Sequence, residues 1–504
     1  MKKINLSLLF ITLLFYCDLK SQSSIDINTS NQDKQFADYK ESLERNFNAF
    51  QDSIDREFTK FLSESWKQFN LSFEPIPDVK PKPIVSPVIK PAEKDNPVID
   101  EIKPTIKPAP ISDYIPKDDF KDRLTPEFKN KLTEFLNTSP EKKQFNYQGL
   151  SVNLFFNRDA DFSFSAPPDN KKVADAWHSL SILDLSMVAE QMAYYATKIN
   201  TNDWGLALMI KCAAKEIYPD SKLKQNVFTW FLLNKMGYKL RMAFDDRNVY
   251  LLIPSNTQIY ENSFFTIEGL RYYLFDIDDV SNKPTKVFTY NQDYNVKGSI
   301  VDFYQIQAPS FNKIFKTRNF NFTAPEAKIN FTVVFDSSDV SYYNKFPFLD
   351  LNALFKNSLS DTALYTIQNG LAPYLAGKTE LQKVNILLRF LQYGFQYKTD
   401  EDQFGHENYL YPEESLFYPY NDCEDRAFLF SYLVSKILKL EVVGLDFPGH
   451  VATAVHFNDS VTGDFVDFEG KRYLICDPTY IGADAGMCMP NYKNTQLQII
   501  RISQ

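Results

Sequence analysis

From Phe36 to Phe69 the chain has neither proline nor glycine. Its apolar positions recur every three or four residues, through Phe36, Tyr39, Leu43, Phe47, Phe50, Ile54, Phe58, Phe61, Leu62, Trp66 and Phe69. That period predicts a long amphipathic, coiled-coil-like helix over residues 33–70. The phenylalanines at 36, 47, 58 and 69 stand eleven apart, a repeat that favours straight or slightly right-handed association. Such a stripe needs a partner, either another copy of the chain or its own body. The pattern then stops. Residues 75–116 hold 11 of the 27 prolines and no glycine, which predicts a semi-rigid extended spacer over 75–117. At about 3.1 Å per residue it reaches on the order of 100 Å.

Folded sequence resumes near Asp118. Helical periods over 204–217 and 225–236 precede β-like runs at 249–253 and 271–275. Residues 283–360 form a β-rich region with alternating, β-branched stretches such as 329–335, and residues 361–504 repeat the order of helices followed by strands. The class is α+β. Shifting the chain by 201 residues lays Glu268, Gly269, Arg271, Tyr272 and Asp276 on Glu469, Gly470, Arg472, Tyr473 and Asp477. Leu232, Lys235, Asp245 and Phe264 also match, making nine identities over 45 positions. This predicts an internal duplication whose first copy spans 118–282.

The 504 residues are 44% hydrophobic and 24% charged, a globular balance with room for several domains. A net charge of −9 without a basic stripe argues against a nucleic-acid partner. Met1-Lys2-Lys3 and the short apolar run 4–16 predict a signal peptide over 1–21, and so an exported protein of the periplasm, the cell envelope or the exterior. Cys17 offers a lipoprotein alternative, disfavoured by the bulky Tyr16. No later run is long enough to span a membrane. The remaining cysteines, Cys212, Cys423, Cys476 and Cys488, are no disulfide scaffold, although Cys476 and Cys488 are available to pair.

The chemistry concentrates near the carboxy terminus. Asn421-Asp422-Cys423-Glu424-Asp425-Arg426-Ala427 leads into an apolar helical pattern, and its acidic residues fit a first turn. Cys423 therefore stands at a helix amino terminus, where unpaired N–H groups favour a thiolate. His450 opens a strand that can reach that sulfur as general base and acid. Asp477 ends a later strand, placed to hold the imidazole's tautomer and orientation. Each step is 27 residues. His178, His406 and His456 are expected to be surface or structural residues, and Asp446, Asp464 and Asp467 turn residues. No metal-ligand cluster or phosphate-binding glycine loop implies a cofactor.

Asp422-Cys423-Glu424-Asp425-Arg426-Ala427, Gly449-His450-Val451 and Asp477-Pro478-Thr479 resemble the three signature segments of the transglutaminase-like superfamily, particularly its bacterial cysteine-proteinase-like branch. Residues 411–416 resemble that branch's approach to the nucleophile. The resemblance covers about 130 residues; Asn421 departs from it, standing where the family usually has glycine. It implies a papain-like domain over 361–504, a Cys423–His450–Asp477 triad, and thioester chemistry on protein or peptide amides by hydrolysis or transamidation. It also implies that the Cys423 N–H forms part of an oxyanion hole, with Tyr411, Tyr418 and Tyr420 as candidates for a second donor. The alternative is a non-catalytic binding or assembly protein of the cell envelope. At the 201-residue offset Lys222 replaces Cys423 and Val249 replaces His450, so a first copy would be catalytically dead.

Overall fold

The computed structural model describes residues 29–76, 85–88, 126–157, 161–277, 284–304 and 308–502. The expected signal peptide and most of the proline-rich segment lie outside these. The chain divides into two compact units, one ending at Phe58 and the other beginning at Thr59. Before that point stands the body of one helix, Thr29–Glu64. Its side chains Tyr39, Leu43, Phe47 and Phe50 are all exposed. Among the described residues no helix is long and apolar enough to cross a membrane.

The helix ends at Glu64, short of the expected residue 70, and Lys67–Asn70 is a strand paired antiparallel with Lys286–Thr289. Tertiary packing overrides the helical period here: Trp66 sits on Phe244 and Tyr290 at 4.7 and 4.9 Å, and Phe69 stacks on Phe265 at 5.0 Å.

Two sheets organise the rest. The first has seven strands, in the spatial order Lys67–Asn70, Lys286–Thr289, Arg241–Phe244, Val249–Ser255, Leu270–Phe275, Ser263–Ile267, Ser72–Phe73. The second has five: Gln498–Arg501, Glu441–Phe447, His450–His456, Lys471–Cys476, Phe465–Phe468. Every pairing is antiparallel. The five inner strands of the first sheet follow the same order as the whole second sheet. A helix precedes each set, Lys222–Lys235 in one and Cys423–Leu433 in the other. The closing hairpins share register, Phe264 facing Tyr273 as Phe465 faces Leu474. Both turn through Glu-Gly with positive φ, 50° and 81° at Glu268-Gly269, 51° and 77° at Glu469-Gly470. Two consecutive left-handed residues make the tight turn that suits the right-handed twist of the strands.

Between the sheets in sequence, the hairpin Phe315–Thr323/Lys328–Asp336 is the main β structure of the 283–360 region, which closes with the short helices Ser337–Tyr343 and Leu351–Leu354. The hairpin shares a core with the helices Asp361–Leu375, Glu380–Gly394 and Cys423–Leu433 and with one face of the second sheet. Phe320, Phe331, Leu388, Phe390, Leu429, Phe430 and Cys476 are all buried there. The other face of that sheet buries Val443, Leu445, Ala454, Ile475 and Cys488. Cys476 and Cys488 thus belong to different apolar clusters, and both are free thiols, so the pairing left open by the sequence is not made.

Candidate active site

The helix carrying Cys423 begins at that residue. Asp422 occupies the cap position, and its N–H donates to Asp425 Oδ2 at 3.3 Å. Asp425 Oδ1 also accepts from Leu410 N at 2.8 Å. The approach to the helix is fixed from outside. Arg318 donates to the carbonyls of Ser415, Leu416, Tyr418 and Pro419, and Glu413 accepts from Asp336 N, Ser360 N and Ser360 Oγ. Asn421 pairs with Tyr397 in a short parallel bridge and keeps negative φ, so this position makes no demand for glycine.

His450 opens the central strand of the second sheet, and its Nε2 lies 2.9 Å from Asp477 Oδ2. Asp477 Oδ1 accepts from the N–H groups of Thr479 and Tyr480 at 2.9 and 3.2 Å, so the carboxylate is held by its own turn. Tyr492 stacks on the imidazole at 5.1 Å, with Phe447 beyond at 6.3 Å. All three expected residues are buried, with exposures of 2% for Cys423, 0% for His450 and 2% for Asp477. Burial alone would lower the histidine's pKa; the adjoining Asp477, reinforced by Cys423, reverses this and raises it to about 10. The Cys423 thiol is close enough to act on the imidazole, yet its hydrogen bond goes to Glu424 Oε2 at 3.0 Å, and His450 Nδ1 makes none. The structure therefore joins His450 to Asp477 directly and bonds the sulfur to its neighbour in sequence.

Five acidic residues crowd this helix start. Asp400, Asp422, Glu424 and Asp425 are buried and Glu407 is half-buried. Burial raises the pKa of all five, and mutual repulsion adds to it for four: Asp400 to about 11, Glu407 to about 7, Glu424 and Asp425 well above the usual carboxylate range; for Asp422 burial alone raises it, against its hydrogen bonds and Arg426. Arg426, wholly buried among them, is pushed down to about 10 by desolvation. Oxygens of Asp400, Glu407 and Glu424 lie within 4.8 Å of one another, as do those of Asp400, Asp422 and Asp425. Those are the residues able to hold a hard, oxygen-ligated cation. Sequence reasoning named no metal ligands because 400, 407 and 422–425 meet only through the fold.

The expected tyrosines are placed elsewhere. Tyr411 stacks on Tyr343 at 4.1 Å and Tyr418 packs on Phe404 and Phe417; Tyr420 borders Lys398. The hydroxyls that feel Cys423 belong to Tyr397, Tyr409 and Tyr492, whose pKa values burial raises and the neighbouring acidic groups raise further. No motif marks them; Tyr397 and Tyr409 precede the nucleophile and Tyr492 follows it far along the chain, so only the fold brings them together. His178 and His406 are exposed, and His456 bonds the Arg472 carbonyl. Asp446 and Asp467 lie within strands, while Asp464 accepts from Cys488 N.

At the 201-residue offset, Lys222 opens its helix as Cys423 does, and its Nζ lies 2.7 Å from Asp276 Oδ2. The offset thus sets a direct ion pair, Lys222–Asp276, against the positions of Cys423 and Asp477. Compared with protein-family models, curated proteins and solved structures, the chain matches none.

Proposed function

We propose that the carboxy-terminal third is a papain-like, transglutaminase-like domain acting on protein or peptide amides through Cys423, His450 and Asp477. The observation that carries this reading is the buried His450–Asp477 pair at 2.9 Å, set beside a cysteine at a helix amino terminus. In the reaction, Cys423 sulfur as thiolate attacks the amide carbon and forms a C–S bond, the tetrahedral oxyanion facing the Cys423 N–H. The His450 imidazolium gives its proton to the departing nitrogen as the C–N bond breaks, releasing an amine or ammonia. Neutral His450 then takes a proton from water as the water oxygen attacks the thioester carbon; the C–S bond breaks, releasing a carboxylic acid and restoring the thiolate–imidazolium pair. An amine in place of water gives transamidation.

Within this reading the first sheet is a degenerate copy of the second: shared strand order, shared Glu-Gly turns and the Lys222–Asp276 pair support descent from one unit, with the chemistry lost. A non-catalytic binding or assembly protein is the second reading, favoured by the near-complete burial of all three residues. The expected exported location belongs to both.

Alkylation by iodoacetamide between about pH 5 and 9 separates them. Purified chain and the His450→Ala variant are labelled in parallel and the modified cysteine mapped by mass spectrometry. Rapid labelling of Cys423 below about pH 8, slowed at least about tenfold in the variant, is the expected result. A Cys423 that reacts like an ordinary thiol in both proteins would sink the catalytic reading.

A further inference from the structure

The turn that holds Asp477 carries a backbone contact that the reaction above does not use. Thr479 and Tyr480 direct their N–H groups to Asp477, and Gly482 N donates to Gln392 Oε1. Ile481, between them, donates instead to Pro87 O at 2.8 Å, and Ile481 and Val88 form a parallel β-bridge. Thus Val85–Val88, from the middle of the proline-rich segment, lies along the edge of the proposed active site. This differs from a pure spacer, the role its composition suggested. Val85 and Val88 leave their side chains 75% and 64% exposed, whereas Ser86 Oγ is shielded without a hydrogen bond. The contact is made by the backbone, not by apolar side chains.

The edge itself is fixed. Gln392 Nε2 donates to the carbonyls of Asp477 and Ala483, and Arg389 donates to Ala483 O and to the carboxylates of Glu326 and Asp484. A rigid N–H one residue from the groups that orient a triad carboxylate is suited to reading an extended chain by strand addition. Proline fits such a one-sided contact because it presents a carbonyl and leaves no N–H unpaired.

We propose that the Ile481 edge is a subsite for an extended peptide strand, and that the chain's own Val85–Val88 is its resident ligand, lying where a substrate strand would pair. The link to substrate rests on the amide-cleaving reading of Cys423; the strand-binding claim does not. The segment is tethered. Glu74, eleven positions before Val85, is fastened to Arg271 and Gln258 by its carboxylate and to Glu261 N by its carbonyl. A short tether gives the internal strand a high effective concentration, against which a separate peptide must compete.

Two measurements on the full chain test this. Val88→Cys with Ile481→Cys should close a disulfide on mild oxidation, and Val85→Cys with Ile481→Cys should do so at least about fivefold less, because only bridge partners have the required geometry. Equal yields overturn the docked register. In Ser86→Arg, deuterium uptake over residues 479–482 should rise about tenfold, and a synthetic peptide of residues 82–91 should restore protection. Uptake that ignores both overturns the subsite. Cys423 alkylation on the same samples should accelerate about tenfold with Ser86→Arg and slow again with peptide. Exchange that responds while alkylation does not removes the subsite from the thiol's cleft. A Cys423 inert in every sample defeats the catalytic reading alone, since exchange still decides strand binding.

Discussion

His450 governs the expected pH behaviour. Its pKa rises from about 6.5 in an unfolded chain to about 10 here, burial being outweighed by Asp477 and then Cys423. A group raised on folding stabilises the native state fully below its unfolded value and loses that contribution as pH climbs through the folded one. Thermal unfolding should therefore show stability falling between about pH 6.5 and 10. Asp477→Asn should flatten that slope and cost about 3 kcal/mol near neutrality by leaving the imidazole's partner uncharged. Parallel slopes in the two proteins would place the titration elsewhere. The three residues were legible because each sits at a boundary that local pattern marks, a helix start, a strand start and a strand end. Tyr397, Tyr409, Tyr492 and the acids around Asp400 were not, since their approach to Cys423 depends on how distant segments pack.

Among the elements, the helix Lys222–Lys235 and its sheet are joined through one ion pair, Lys222–Asp276. Asp276 is buried, and Lys222, 41% exposed, is the cation that balances it. Lys222→Met should cost about 2 kcal/mol in urea denaturation, less than a fully buried pair because solvent screens the lysine, and leave Cys423 alkylation unchanged. Loss of reactivity in that variant would mean that the first sheet supports the surroundings of Cys423. The strands at 249–253, 271–275 and 329–335 were readable from their β-branched and alternating runs. The strand Lys67–Asn70 was not: its aromatic spacing fits a helix as well, and only the Phe244, Phe265 and Tyr290 rings of the first sheet decide between them.

For the whole molecule, we propose self-association through the helix Thr29–Glu64. Tyr39, Leu43, Phe47 and Phe50 are each about half exposed, a row that water alone does not favour. The chain should sediment as an oligomer, and Phe47→Asp with Phe50→Asp should return it to the monomer mass. An unchanged mass would assign that stripe another role. The burial of Cys423, His450 and Asp477 carries a further consequence. A thiol closed off from solvent meets hydrogen peroxide only during the intervals when its cover lifts. Its conversion to the sulfenic acid then scales with the fraction of time the site stands open, multiplied by the reactivity of the sulfur once exposed. Oxidation thereby reports two things at once, how often the site breathes and how reactive the enclosed sulfur is when it does.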